Sequence, residues 1–193
     1  MLFGVQSYWA QMFIFPAKII KVIESLCRSF LWSGNGQVTK KALIAWEQVC
    51  RPRSEGGLGL LNMAIWNRAA IVKLCWDLAQ KEDKLWIKWI HAYYLKDQNV
   101  WQKRDQASWM IRRIMNAKLI VDQCQPRQGK GVIKHIYDYL RGEKIKPEWR
   151  CLLFKNPARP KACFTLWILM NRKLATVDRL IKWGMTLDRG CVI

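Results

Sequence analysis

Seven cysteines and two histidines are the side chains of this 193-residue chain best suited to hold a soft metal, and their spacing closes no site. The cysteines stand at 27, 50, 75, 124, 151, 163 and 191, with no Cys-x-x-Cys pair among them. An odd number at wide intervals gives neither a disulfide framework nor a full zinc set; it fits reduced thiols packed as small core residues. His91 and His135 are far apart in sequence, and neither adjoins a Cys, Asp or Glu. No Gly-x-Ser-x-Gly, His-Glu-x-x-His or paired-carboxylate motif occurs. Two-metal phosphoryl transfer requires carboxylates that converge on the cations, yet no two aspartates are consecutive. Asp178 and Asp188 are single carboxylates, read as a helix first-turn acid and a loop acid. Polymerase and nuclease chemistry are therefore not expected of this chain.

Cations are what the sequence has in excess. Lys and Arg number 33 against 14 Asp and Glu, a net charge of +19, which calls for an anionic partner. Lys84 and Lys88, with Lys81 and His91, recur at helical spacing and would form one basic ridge able to neutralise phosphates. A plain solvated helix face would read the same way. Lys40-Lys41 and Arg112-Arg113 are adjacent pairs. Arg51 and Arg53 flank Pro52 ahead of Gly56-Gly57, a turn that could bring backbone N–H groups to a phosphate, although no Walker pattern follows. Trp86-Ile87-Lys88-Trp89 and Trp149-Arg150 interleave aromatics with cations and could stack bases or simply fill a core.

These residues must be positioned by helices. With 51% hydrophobic residues and 12 Trp, the chain has enough apolar surface for a core. Periodicity predicts a helix over 17–32 with one buried face, opened by Pro16 and stopped at Ser33-Gly34. Asn62 caps a second helix over 63–80, so apolar all round that it is expected to be the central core element. Further helices are predicted over 84–95, 107–124, 132–141, 161–172 and 176–183, with Thr176 and Gly184 as start and stop of the last. Gln125 to Gly131 reads as a linker, and 151–154 as a short apolar piece. The fold class expected is mainly α, with room for one small β-hairpin near 42–61. Residues 1–17 lack charge, but have no basic start and are interrupted by polar residues and Pro16. They are also shorter than the ~20 apolar residues of a membrane span. Neither a secretory leader nor a membrane anchor is read here, and the expected location is nucleus or cytoplasm.

Several segments together resemble the region downstream of the polymerase palm in plant LINE-type (non-LTR) retrotransposon reverse transcriptases. They are Ser7-Tyr8-Trp9-Ala10-Gln11, Cys27-Arg28-Ser29-Phe30-Leu31-Trp32, Lys40-Lys41-Ala42-Leu43-Ile44-Ala45-Trp46, Gly56-Gly57-Leu58-Gly59-Leu60 and Trp66-Asn67-Arg68-Ala69-Ala70. Arg159 to Trp167, Thr176 to Gly184 and Asp188-Arg189-Gly190-Cys191 are similar to the zinc-binding region that follows it. The likeness implies a thumb- or connector-like helical region over residues 1–125, then the start of the zinc-binding domain over 132–193. Cys191 maps onto the first zinc ligand of that family, whose further ligands are a second Cys, a His and a Cys. Only Val192 and Ile193 follow it, so the expectation is a fragment that holds no zinc of its own. The polymerase's paired aspartates have no counterpart here. The resemblance implies contact with template RNA or an RNA–DNA hybrid, beside the rest of the reverse transcriptase polyprotein. A structural relic without activity is the alternative, and a basic protein lying on acidic membranes is a third reading.

Overall fold

The computed structural model describes residues 8–11, 13–34, 42–95, 107–126, 131–142, 145–154, 157–174, 176 and 181. Beyond a helical turn at 8–11, its elements are α1 (Ala17–Ser33), α2 (Trp46–Val49), a 3-10 turn (Arg53–Glu55), α3 (Met63–Ala79), α4 (Leu85–Tyr93), α5 (Trp109–Asn116), α6 (Lys118–Cys124), α7 (Val132–Arg141), α8 (Arg150–Phe154) and α9 (Pro160–Met170). The fold is mainly α, as the periodicity predicts. The helix expected over 176–183 lies almost wholly outside the described residues. Contacts divide the chain into two compact units, Met1–Glu24 with Leu61–Lys144, and Ser25–Leu60 with Ile145–Ile193. The family resemblance divides it in chain order instead, near 125 and 132. Compactness cuts across that order because α7 packs on α3.

In the first unit α3 is the central element. Asn62 caps it as expected, its Oδ1 accepting from Ile65 N–H at 3.1 Å. Met63, Ala69, Ala70, Val72, Cys75 and Leu78 are all at most 1% exposed, and α5, α6 and α7 pack against this helix. Ile87 and Ile90 of α4, Ile111 and Ile114 of α5, Val121 of α6 and Ile136 of α7 complete the core. The helix expected over 107–124 is two helices joined at Ala117, which is 6% exposed. A continuous helix would carry Lys118 onto the line of Ile111, Ile114 and Val121; the turn places a methyl group there instead.

Two polar residues of α3 are buried, and each does a structural job. Asn67, 4% exposed, donates from Nδ2 to Ala10 O (2.7 Å) and Phe13 O (2.6 Å) and accepts at Oδ1 from Phe15 N–H (3.1 Å). One carboxamide thereby ties the segment entering α1 onto α3. Asp77, 1% exposed, accepts at Oδ2 from Lys73, one turn earlier, and from Lys84 Nζ at 3.1 Å. Lys84 also pairs with Glu82 at 2.5 Å. The Glu82 hydrogen bond, helped by Asp77, holds the Lys84 ammonium above its ordinary 10.5 against some desolvation. Reciprocally, the bond from Lys84 holds Glu82 below its ordinary 4.5. This cluster fixes the tight connection from α3 to α4.

In the second unit the stretch 42–61 corrects the sequence expectation: no strand occurs among the described residues. Trp46 and Val49 are buried one helical turn apart in α2, and the 3-10 turn follows. The chain does double back, with Leu58 N–H donating to Val49 O (3.0 Å) and Gly59 N–H to Arg51 O (2.8 Å), but no ladder extends from these bonds. Gly56 has φ +79°, and Pro147 and the Trp149 ring lie where its side chain would be. Trp167 of α9, 1% exposed, donates Nε1–H to Gly56 O at 2.8 Å. Gln48 Nε2 donates to Asn171 Oδ1 at 3.3 Å, a second tie from α2 to the end of α9.

The apolar stripe of α1 is only partly covered. Ile20, Ile23, Cys27 and Leu31 are half-buried, whereas Ile19, Leu26 and Phe30 are 47%, 39% and 68% exposed. The helix buries a different edge, with Ser29 at 0% and Trp32 against Phe164 at 5.9 Å between ring centroids. Helical period alone names an apolar side; neighbours decide which side is covered.

Three outcomes are expected. Asn67→Ala leaves two carbonyls and an N–H unpaired and should lower the unfolding free energy in urea by about 2–4 kcal/mol. Asn67→Asp should be no better, since it keeps the acceptor and sets charge beside carbonyl oxygens. Gly57→Ala drives a methyl into the Arg51 carbonyl and should cost at least about 1–3 kcal/mol. For the Lys84 cluster, the raised lysine stabilises below 10.5 and loses that contribution as pH rises through its folded value. The lowered Glu82 stabilises above 4.5 and loses it as pH falls. Lys84→Met should therefore cost about 1–2 kcal/mol at pH 7 and flatten the acid limb below pH 4.5 in urea titrations. An acid limb as steep as that of the parent chain would remove the cluster from the account.

Candidate nucleic-acid interface

The basic residues singled out in sequence meet different fates in the fold. On α4 and its N-terminal flank the positive charge is locally neutralised: Lys84 is held by Asp77 and Glu82, and Lys88 Nζ lies 2.5 Å from Asp83 Oδ1. His91 Nε2 is 3.0 Å from Leu78 O, which ties α4 to α3. Three members of the ridge expected from spacing, Lys84, Lys88 and His91, are thus bonded to acids and backbone of their own unit.

The glycine turn does not offer backbone donors either. The N–H groups of Gly56, Gly57, Leu58 and Gly59 donate to Arg53, Pro52, Val49 and Arg51 carbonyls, so none points at an anion. Arg53 is exposed, whereas Arg51 is half-buried, its Nε without a hydrogen-bond partner. Trp149, half-buried, packs on the Gly56 backbone. Lys40, Lys41 and Cys191 lie outside the described residues.

Arg112 and Arg113 are placed differently. Ser108 caps α5, its Oγ accepting from Ile111 N–H at 3.4 Å, and this sets the helix so that Ile111, Ile114 and Met115 turn inward. The two arginines between them face out. The Arg113 guanidinium carbon lies 5.7 Å from the centroid of the Trp109 ring, and Trp109 is 52% exposed. Beside this pair is an open cavity of about 470 Å³ bounded by the 14–17 segment, α3 and α5. Ile14, Phe15 and Ile71 give it an apolar wall; Asn67, Arg68, Arg113 and Asn116 are polar residues in its lining, and no acidic residue lines it. No carboxylate among the described residues pairs with Arg68, Arg112 or Arg113.

Arg68 was not singled out in sequence. It sits next to Asn67, about 100° round the helix, so burial of the carboxamide turns the guanidinium outward. The signal was present in Trp66-Asn67-Arg68, but only the fold sets it opposite α5.

A second concavity of about 470 Å³ is lined by Trp86, Trp89, Tyr94 and Met110 and contains no cation. Trp89, one of the interleaved aromatics predicted to stack bases or fill a core, stacks on Tyr93 at 5.7 Å with 7° between planes.

For zinc the described donors do not fit. Among the described residues no three His, Cys, Asp or Glu come together as a metal set. Cys124 Sγ and His135 Nδ1 are 3.6 Å apart, a pair rather than a set, and burial pushes the Cys124 thiol up. Burial, aided by Asp122, pushes Cys75 up to about 12. Both stay protonated at neutral pH.

Comparison with known proteins bears on the same question. Residues 132–193 match the family described as zinc-binding in reverse transcriptase. The chain is 35% identical over 98 residues, 51% of its own length, to a protein of Arabidopsis thaliana named "Putative ribonuclease H protein". It spans about 15% of that relative's length. No solved structure matches. Among the described residues no helix is long and apolar enough to cross a membrane. Residues 132–193 are thus similar to a zinc-binding region of reverse transcriptases, and about half of the chain is similar to part of a plant protein.

Proposed function

We propose that this chain is a non-catalytic, nucleic-acid-binding segment of a retrotransposon reverse transcriptase of the plant LINE type. Residues 1–125 serve as the thumb- or connector-like part and 132–193 as the beginning of the zinc-binding domain. Its ligand is template RNA or the primed RNA–DNA hybrid, held beside the rest of the polyprotein in nucleus or cytoplasm. The observation that carries this reading is the pair Arg68 and Arg113 lining one cavity, with no described carboxylate paired to either, on one unit of a chain with net charge +19. Motif resemblance motivates the LINE assignment, and the Arabidopsis relative supports a plant element. Without consecutive aspartates, the chain is assigned a holding role; copying belongs to the palm of a complete polymerase. Zinc is assigned to the complete family domain, and none to this chain.

The mechanism is counterion release. Each guanidinium that neutralises a phosphate frees condensed cations, so affinity falls linearly on a log–log plot against salt. Fluorescence anisotropy with a single-stranded RNA and an RNA–DNA hybrid between about 50 and 300 mM KCl should give a slope of several units. Arg112→Gln and Arg113→Gln should each reduce that slope by about one, whereas Lys88→Gln should change it little. Absence of binding, or a flat response, would favour the structural relic.

A further inference from the structure

The geometry points to a nucleotide site: the cavity between α3 and α5 receives one unpaired nucleotide of a bound strand, its phosphate held by Arg68 and Arg113. This rests on the nucleic-acid reading and specifies the ligand at that surface.

Four observations converge on it. The cavity holds about 470 Å³, within the range of small-ligand sites. One part of its lining is apolar, from Ile14, Phe15 and Ile71, and suits the flat face of a base. Two guanidiniums share the same lining with no carboxylate to neutralise them, and planar guanidinium matches phosphate oxygens two at a time. Trp109, 52% exposed, supports Arg113 from its ring face and gives the rim an aromatic platform for the base.

The same features select against a duplex. A paired base keeps its faces stacked in the helix, whereas an unpaired one can leave the stack and enter a cavity. Base identity should be read only weakly. Asn67 cannot contribute, because its amide is fully engaged with the backbone at Ala10, Phe13 and Phe15. Asn116 is the other carboxamide at the site. Stacking with two cations and one amide is a sequence-tolerant arrangement.

The test uses the whole chain and 2-aminopurine riboside 5′-monophosphate, free and at one position of a ten-nucleotide RNA. Stacking on Trp109 quenches this fluorophore, and Arg68→Gln or Arg113→Gln should each weaken its binding about tenfold. Trp109→Ala should remove the quench while the strand still binds. Arg113→Lys should recover part of the affinity through charge alone. Lys88→Gln should leave the probe's binding unchanged, with far-UV circular dichroism confirming that every variant is folded. If strands bind but the monophosphate does not, the site is overturned and the wider reading stands. If the monophosphate binds but strands do not, the cavity takes a free nucleotide, and both its role on a bound strand and the wider reading are overturned. Displacement by inorganic phosphate at equal concentration would reduce the cavity to an anion site and overturn the nucleotide assignment. Binding of neither probe overturns both.

Discussion

A single buried carboxamide organises the first unit. Asn67 spends three hydrogen bonds on backbone atoms of Ala10, Phe13 and Phe15, and so fixes the strap of chain that enters α1. Inside a core such groups are expensive to leave unpaired and give directional contacts that apolar packing cannot. Because the strap is fixed, Ile14 and Phe15 line the cavity beside α3, and Arg68, the next residue on the helix, lies in the same lining. The candidate site is a consequence of that bond set.

Charge is distributed unevenly for a physical reason. The α3–α4 connection is tight, and Asp77 is buried there at 1% exposure. A buried carboxylate must have cationic partners, so Lys73 and Lys84 are drawn in; Glu82 and Asp83 then engage Lys84 and Lys88. Among the described residues no carboxylate pairs with Arg112 or Arg113 on α5. The net charge of +19 is therefore not equally available over the surface, and Arg68, Arg112 and Arg113 are among the described cations that no carboxylate of the described residues pairs with.

The second unit depends on close approach. Gly56 and Gly57 lack the atoms that would collide with Pro147, Trp149 and the Arg51 carbonyl, and the Gly56 carbonyl receives the Trp167 indole N–H. Residues far apart in sequence close on one turn. That turn looks like a phosphate loop in sequence, but its amide protons are consumed internally.

Much of this was written in local sequence. The cap at Asn62, the apolar cylinder of α3 and the helices opening at Ala17, Val132 and Pro160 follow from period, capping and proline placement, which act within a few residues. The surplus of Lys and Arg is likewise a property of composition. Which cations are free is not, since Lys84 and Arg113 are equally basic in sequence and differ only in whether an acid packs beside them. The same holds for the partial cover of the α1 stripe, for the turn at Ala117 that keeps Lys118 off the core line, and for Arg68 reaching the cavity of Trp109. Local pattern sets what each segment forms; long-range packing decides what each side chain meets, and binding depends on the latter.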